Sequence, residues 1–234
     1  MDRISAFSDD ALGDLDAVGV VEALRAGEVS ADDVIDAAIA RAEAVNPALN
    51  GVAYEAFDRA RSRGRTRRPY GGYFDGVPAF IKDNVAVSGM PTMSGTDAWD
   101  PQLCAHDGDF ARAFLATGLV PLGKTRLSEF GFSASAEHPR LGPVRNPWNP
   151  DLTPGGSSAG SGGSVAAGMG PIALGSDGGG SVRIPSSMSG LVGVKASMGR
   201  VPLYPGVKDE RYPGVSSWEA LEHIGPMTRT VADS

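Results

Sequence analysis

Apolar positions recur at helical spacing through the first 60 residues, then give way to short apolar runs set between glycine-rich turns. The stretch LDAVGVVEALRAG, Leu15 to Gly27, predicts a helix that stops at its glycine. Ser30 with Asp33 has the pattern of a capping box opening ADDVIDAAIARAEAV. There Val34, Ile35, Ala38, Ile39 and Ala42 form one stripe, which reads as a packing face. Asn46-Pro47 is expected to end that helix, because proline brings no N–H.

Beyond Gly71 the pattern shortens. GVPAFIKDN (Gly76 to Asn84) predicts a buried strand ending at Lys82. DFARAFLATG reads as a helix and LVPLGKT as the strand after it. SGGSVAAGMG then PIALGSD repeats helix then strand, and SVRIPSSMSG then LVGVKAS does so again. Strand and helix in alternation predict an α/β sheet covered by helices. The closing GPMTRTVADS reads as Thr230 capping the first turn of a helix.

Composition narrows the function classes. The 234 residues carry a net charge of −7, which disfavours nucleic acid as the main partner. The exception is RSRGRTRRPY, Arg61 to Tyr70, read as a solvated helix end, with an anion-binding patch as the alternative. A single Cys, Cys104, excludes an intrachain disulfide and suits a reducing cytoplasm. The acidic N-terminus has no signal-peptide pattern, and no apolar run is long enough to span a membrane.

Three motifs carry candidate chemistry. Gly118 to Thr125, GLVPLGKT, matches the phosphate-binding pattern G-x-x-x-x-G-K-T. A helix precedes it, however, and Leu-Val-Pro-Leu suits a sheet interior better than a phosphate cradle. Gly156 to Gly160 fits the nucleophile elbow G-x-S-x-G, but it follows a turn-rich loop instead of a strand. Its histidine partner would have to come from His106, His138 or His223, each read as a surface or core residue. The third candidate is Ser181 in DGGGSVRIP. Consecutive glycines let backbone N–H groups converge, and a helix starting near Ser181 would add its dipole, giving an oxyanion hole beside a hydroxyl. Asp177 and Arg183 flank that loop and could pair to hold its shape. A plain glycine-rich turn with a capping Ser is the alternative. A nucleophilic Ser needs a base, and Lys82, ending an apolar run, could lose its proton in a dry interior. The alternative for Lys82 is a buried ion pair with Asp83.

The blocks GGSSAGSGGSVAAG and ALGSDGGGSVRIPSS, together with GVPAFIKDN, LGKTRLSEFGFSA, RNPWN and GLVGVKASMGRVP, resemble the amidase signature family in residues and in order. Within it the chain is similar to bacterial amidases of the mycobacterial amidase C type and to 6-aminohexanoate-cyclic-dimer hydrolases. The resemblance implies a mixed central sheet with helices on both faces, of which this chain would be the N-terminal half. Residues 1–70 would be a helical region and 71–234 the catalytic core, truncated at its C-terminal side.

The resemblance also implies a Ser–cisSer–Lys triad with Ser181 as nucleophile, Ser157 as bridge after a cis Gly156–Ser157 bond, and Lys82 as base. The N–H groups of Gly178, Gly179, Gly180 and Ser181 would hold the oxyanion. Ser158, Asp177 and Arg183 would support them, and Gly131, Phe132 and Ser133 would line the acyl pocket. The implied activity is hydrolysis of a small-molecule carboxamide through an acyl-enzyme, with no metal or cofactor. The alternatives are an amidotransferase subunit passing ammonia to a partner, and an inactive fragment. The implied assembly is a homodimer or association with the absent C-terminal half.

Overall fold

The computed structural model describes residues 2–66, 71–201 and 221–234. Three helices open the chain, α1 (Ala17–Ala26), α2 (Ala31–Leu49) and α3 (Phe57–Thr66), with the short strand β1 (Val52–Glu55) between the last two. Then come β2 (Pro78–Lys82), α4 (Asp109–Ala116), β3 (Val120–Thr125), the pair β4 (Glu137–His138) and β5 (Gly142–Pro143), and α5 (Ala159–Ala166). The chain closes with β6 (Ile172–Asp177), α6 (Arg183–Ser189), β7 (Val192–Gly193) and β8 (His223–Thr228). Residues 67–70, the end of the Arg-rich run, lie outside the described residues.

The first helices form where local chemistry says they should. Gly27 adopts the left-handed conformation at the end of α1, and Ser30 and Asp33 cap α2 reciprocally. The predicted stop at Asn46-Pro47 is wrong: α2 runs on to Leu49 with Pro47 inside it. Asn46 explains this. Its carbonyl accepts from Asn50 N–H at 2.7 Å, and its side chain accepts from the N–H groups of Gly51 and Val52, both at 2.9 Å. The last turn is therefore closed around the proline.

The closing segment also differs from its reading. It forms β8 first, then a turn at residues 232–233. Thr230 Oγ1 donates to Asp16 at 2.9 Å, so it supports the N-cap of α1. LVGVKAS pairs as a strand only over Val192–Gly193, and α6 begins at Arg183, two residues later than expected.

The main sheet has the order β1-β3-β2-β6-β8-β7. β2 runs parallel to both β3 and β6, while β1, β7 and β8 pair antiparallel, so the sheet is mixed. One apolar core joins residues of α1, α2, α4 and the central strands, including Val20, Ile35, Phe80, Phe114 and Leu174. Fully burying each such side chain contributes about 1.5–3 kcal/mol. β2, β3 and β6 are buried at every position, as strands in a parallel centre must be.

This topology places a site. The chain leaves β2, returns beside it as β3, then crosses to the other flank of β2 as β6. Connections diverge at β2, and such switch points open a crevice at the carboxyl ends of the strands. Lys82, Thr125 and Asp177 are the last residues of β2, β3 and β6.

Side-chain alternation sorts the two buried lysines of this region onto opposite faces. Lys82 pairs in register with Thr125, and Ile81 with Lys124. Thr125 Oγ1 bonds Ser161 of α5 at 2.7 Å, so Lys82 shares the α5 face. Lys124 lies on the other face, 3.7 Å from Asp83, and its ammonium donates to the carbonyls of Val85 and Pro91. This settles the phosphate-loop pattern: its Lys is an interior cation held by Asp83 and backbone oxygens. Removing one partner of such a buried pair typically costs about 3–5 kcal/mol.

Candidate active site

The site grows from the carboxyl end of β2. Lys82 is 1% exposed, and its Nζ lies 2.7 Å from Ser157 Oγ and 2.8 Å from Ser176 Oγ. The Ser176 carbonyl is a third, longer partner at 3.3 Å. Among the described residues no carboxylate pairs with it. The expected alternative, an ion pair with Asp83, does not form, because Asp83 pairs with Lys124 on the opposite face. Burial therefore dominates and lowers the Lys82 pKa from 10.5 to about 7, against the pull of Glu222 and Asp177. On the far face burial raises Asp83 to about 6, against the pull of Lys124.

Ser157 arrives on the loop before α5, after a cis Gly156–Ser157 peptide. A Cβ on Gly156 would sit 2.8 Å from backbone atoms of Ala134 and Ser135, so only glycine lets the two loops touch. The next residue, Ser158, is buried and anchors the loop to β6. Its Oγ donates to the Ser176 carbonyl at 3.2 Å and accepts from Ser176 N–H at 3.3 Å. Gly175 makes room for it, since a Cβ there would lie 2.7 Å from Ser158 Oγ. Ser158 N–H also donates to the Ser181 carbonyl at 3.3 Å, which ties the Ser157 loop to the glycine loop.

Asp177 ends β6 fully buried and organises the glycine loop. Its carboxylate accepts from the N–H groups of Gly180 (2.8 Å), Val182 (3.1 Å) and Arg183 (3.2 Å). The Arg183 guanidinium adds two contacts, each 2.9 Å. Burial alone would raise the Asp177 pKa. Arg183 and the backbone donors outweigh it and hold the carboxyl well below the usual range. Of the four N–H groups expected to face an oxyanion, that of Gly180 is thus already engaged by Asp177. Ser181 is half-buried and Gly179 exposed, so the loop opens outward while Lys82 and Ser157 stay dry.

The expected pocket residues begin at the last residue of a 3₁₀ turn, Glu129–Gly131. A Cβ on Gly131 would lie 3.5 Å from Ser157 Oγ, so this turn borders the site. Phe132 is 72% exposed, and Ser133 exchanges hydrogen bonds with Ser128. A cavity of about 340 Å³ is lined by Asp83, Trp99, Arg126, Ser128, Glu129 and His138, with neither Lys82 nor either candidate Ser in its wall. The histidines stand apart: His138 lies near Asp97 and Glu129, His223 bonds the Leu221 carbonyl, and His106 is exposed.

Two residues escaped the sequence reading. Ser176 holds Lys82 and also accepts from Asn84 at 2.9 Å. Lys195 donates to the Gly178 carbonyl at 2.7 Å. A signal existed for the first, since a buried amine needs acceptors and Ser176 is the polar residue closing the ALGS run.

A family model described as Amidase matches residues 33–234. The chain belongs to the Amidase family. It is 58% identical over all 234 residues to "Putative amidase AmiC" of Mycobacterium bovis, covering 48% of that protein. It is 37% identical over 216 residues to a glutamyl-tRNA(Gln) amidotransferase subunit of Halorhodospira halophila, covering 90% of this chain and 43% of that one. Among solved structures, 6-aminohexanoate cyclic dimer hydrolase superposes with a TM-score of 0.85 at 37% identity, over 97% of this chain and 45% of that one. The chain thus spans about half the length of the curated relatives it matches, in keeping with the N-terminal half of the amidase signature fold.

Proposed function

We propose that this chain is the catalytic half of a serine amidase, cleaving a carboxamide C–N bond to a carboxylate and ammonia or an amine. The observation that carries this is Lys82: a buried amine 2.7 Å from a serine hydroxyl, with no carboxylate paired to it among the described residues. Such a lysine is of little use as an ion-pair member and well suited to be a base.

In this reading neutral Lys82 takes the proton of Ser157, which takes that of Ser181. Ser181 Oγ bonds the substrate acyl carbon while the glycine-loop N–H groups hold the oxyanion. The C–N bond breaks as Ser157 returns a proton to the leaving nitrogen. Water then attacks the resulting ester by the same relay, releasing the carboxylate and restoring Ser181. Gly131, Phe132 and Ser133 border the acyl side, where the loop is open to a small-molecule amide. Similarity to an amidotransferase subunit keeps a second reading open, in which the ammonia passes to a partner protein. Release of free ammonia by the chain alone favours hydrolysis.

The sign of the pH dependence follows from Lys82. Its neutral form is the active one, and burial lowers its pKa to about 7. Roughly a tenth of the chains would hold neutral Lys82 at pH ~6, and roughly nine-tenths at pH ~8. The rate of fluorophosphonate labelling at Ser181 is therefore expected to rise about tenfold over that interval. A flat profile with chemistry rate-limiting would remove Lys82 from the role of base.

A further inference from the structure

Lys195 is the charged group beside the glycine loop to which the chemistry above assigns no task. Its backbone is well held. It follows β7, where Val194 N–H donates to the Pro226 carbonyl at 3.2 Å, and a Cβ on Gly225 would collide with the Val194 carbonyl. From this rigid edge Nζ donates to the Gly178 carbonyl at 2.7 Å and to the Leu221 carbonyl at 3.2 Å. It also lies 3.3 Å from Asp177 Oδ1.

The consequence lies in one peptide plane. The Gly178 carbonyl and the Gly179 N–H belong to the same unit, which is trans. In a planar trans peptide these two groups point in opposite directions. An ammonium that grips the oxygen therefore aims the N–H away from itself. Without that grip the unit is poorly restrained: both residues are glycine, and among the described residues no atom beyond the two chain neighbours lies within 4 Å of where a Gly179 Cβ would be. The neighbouring Gly180 N–H is already committed to Asp177 at 2.8 Å. The aim of the loop thus depends heavily on the Gly178–Gly179 unit.

We propose that Lys195 is a positioning residue of the oxyanion hole, locking the Gly178–Gly179 peptide so that the Gly179 N–H meets the developing oxyanion. This rests on the serine-amidase reading above. An ion-pair role toward Asp177 would be redundant, since Arg183 already holds both carboxylate oxygens at 2.9 Å.

The test compares the wild-type chain with Lys195→Met and Lys195→Arg. It reads the fluorophosphonate labelling rate at Ser181, kcat and KM for para-nitroacetanilide, and the thermal midpoint. Loss of a whole oxyanion donor costs about 10²–10³ in kcat, and a misaimed one less. Lys195→Met is expected to label at least about tenfold more slowly and to lose kcat similarly, with KM and midpoint near wild type. Lys195→Arg, which can still donate to the Gly178 oxygen, should recover most of the rate. Labelling of Lys195→Met at the wild-type rate would overturn the proposal. So would an equal loss of rate and midpoint in both variants, which would make Lys195 a support of the fold. If the wild-type chain takes no label at Ser181, the amidase reading itself fails, and this proposal with it.

Discussion

Ser181→Ala is expected to lower amide turnover by about 10⁶-fold, the scale seen when a serine hydrolase loses its nucleophile. The substitution should leave the loop intact. Its anchors are backbone groups: the Ser181 carbonyl accepts from Ser158 N–H, and the N–H groups of Gly180, Val182 and Arg183 bond Asp177. Alanine keeps all of them. The variant should melt with the wild type and lose only chemistry. Turnover of para-nitroacetanilide, with a thermal midpoint as control, checks this. Retention of more than about one-hundredth of the rate would move the nucleophile elsewhere.

Lys82→Met should cost less in rate, about 10²–10⁴-fold, the usual worth of a positioned base. Its effect on stability separates the base from a structural lysine. A buried cation that serves the fold is missed when removed. A buried amine that serves chemistry is a liability to the fold, and an apolar replacement of similar volume is often neutral or stabilising. Among the described residues Lys82 has no ion-pair partner to strand, and Ser176 Oγ keeps its bond from Asn84. Equal or greater resistance to urea is therefore expected, together with loss of the rate's rise around pH ~7. A marked drop in urea midpoint would identify Lys82 as a member of the core.

The parts legible in the sequence are those where one physical constraint acts alone. β2, β3 and β6 are buried on both faces, so they appear as short apolar runs with polar residues only at their ends, and their order along the chain with α4 and α5 between them follows. β1 and β8 were not legible. β1 is a four-residue edge strand, and β8 reads His-Ile-Gly-Pro-Met-Thr, with two residues that disfavour strands. Pairing with β6 and β7 overrides that preference. The same override carries α2 past Pro47.

In the site, Asp177 pairs with Arg183 as their spacing suggested. The resemblance set Ser157 beside Lys82, but the residue pattern alone did not give its neighbours, Ser176 among them, because a strand's polar end does not reveal which face it serves. Only the register of Lys82 with Thr125, and of Ile81 with Lys124, separates a candidate base from an interior ion pair. Lys195 was hidden for a further reason. The two groups to which it donates are carbonyl oxygens, and every residue offers one.

The decisive measurement is the mass of the 234-residue chain after reaction with a fluorophosphonate, with the adduct mapped by peptide sequencing. The serine-amidase reading predicts one adduct, on Ser181, formed faster as pH rises through about 7 and absent from Ser181→Ala. An adduct on Ser158, or none on a folded chain, would contradict it.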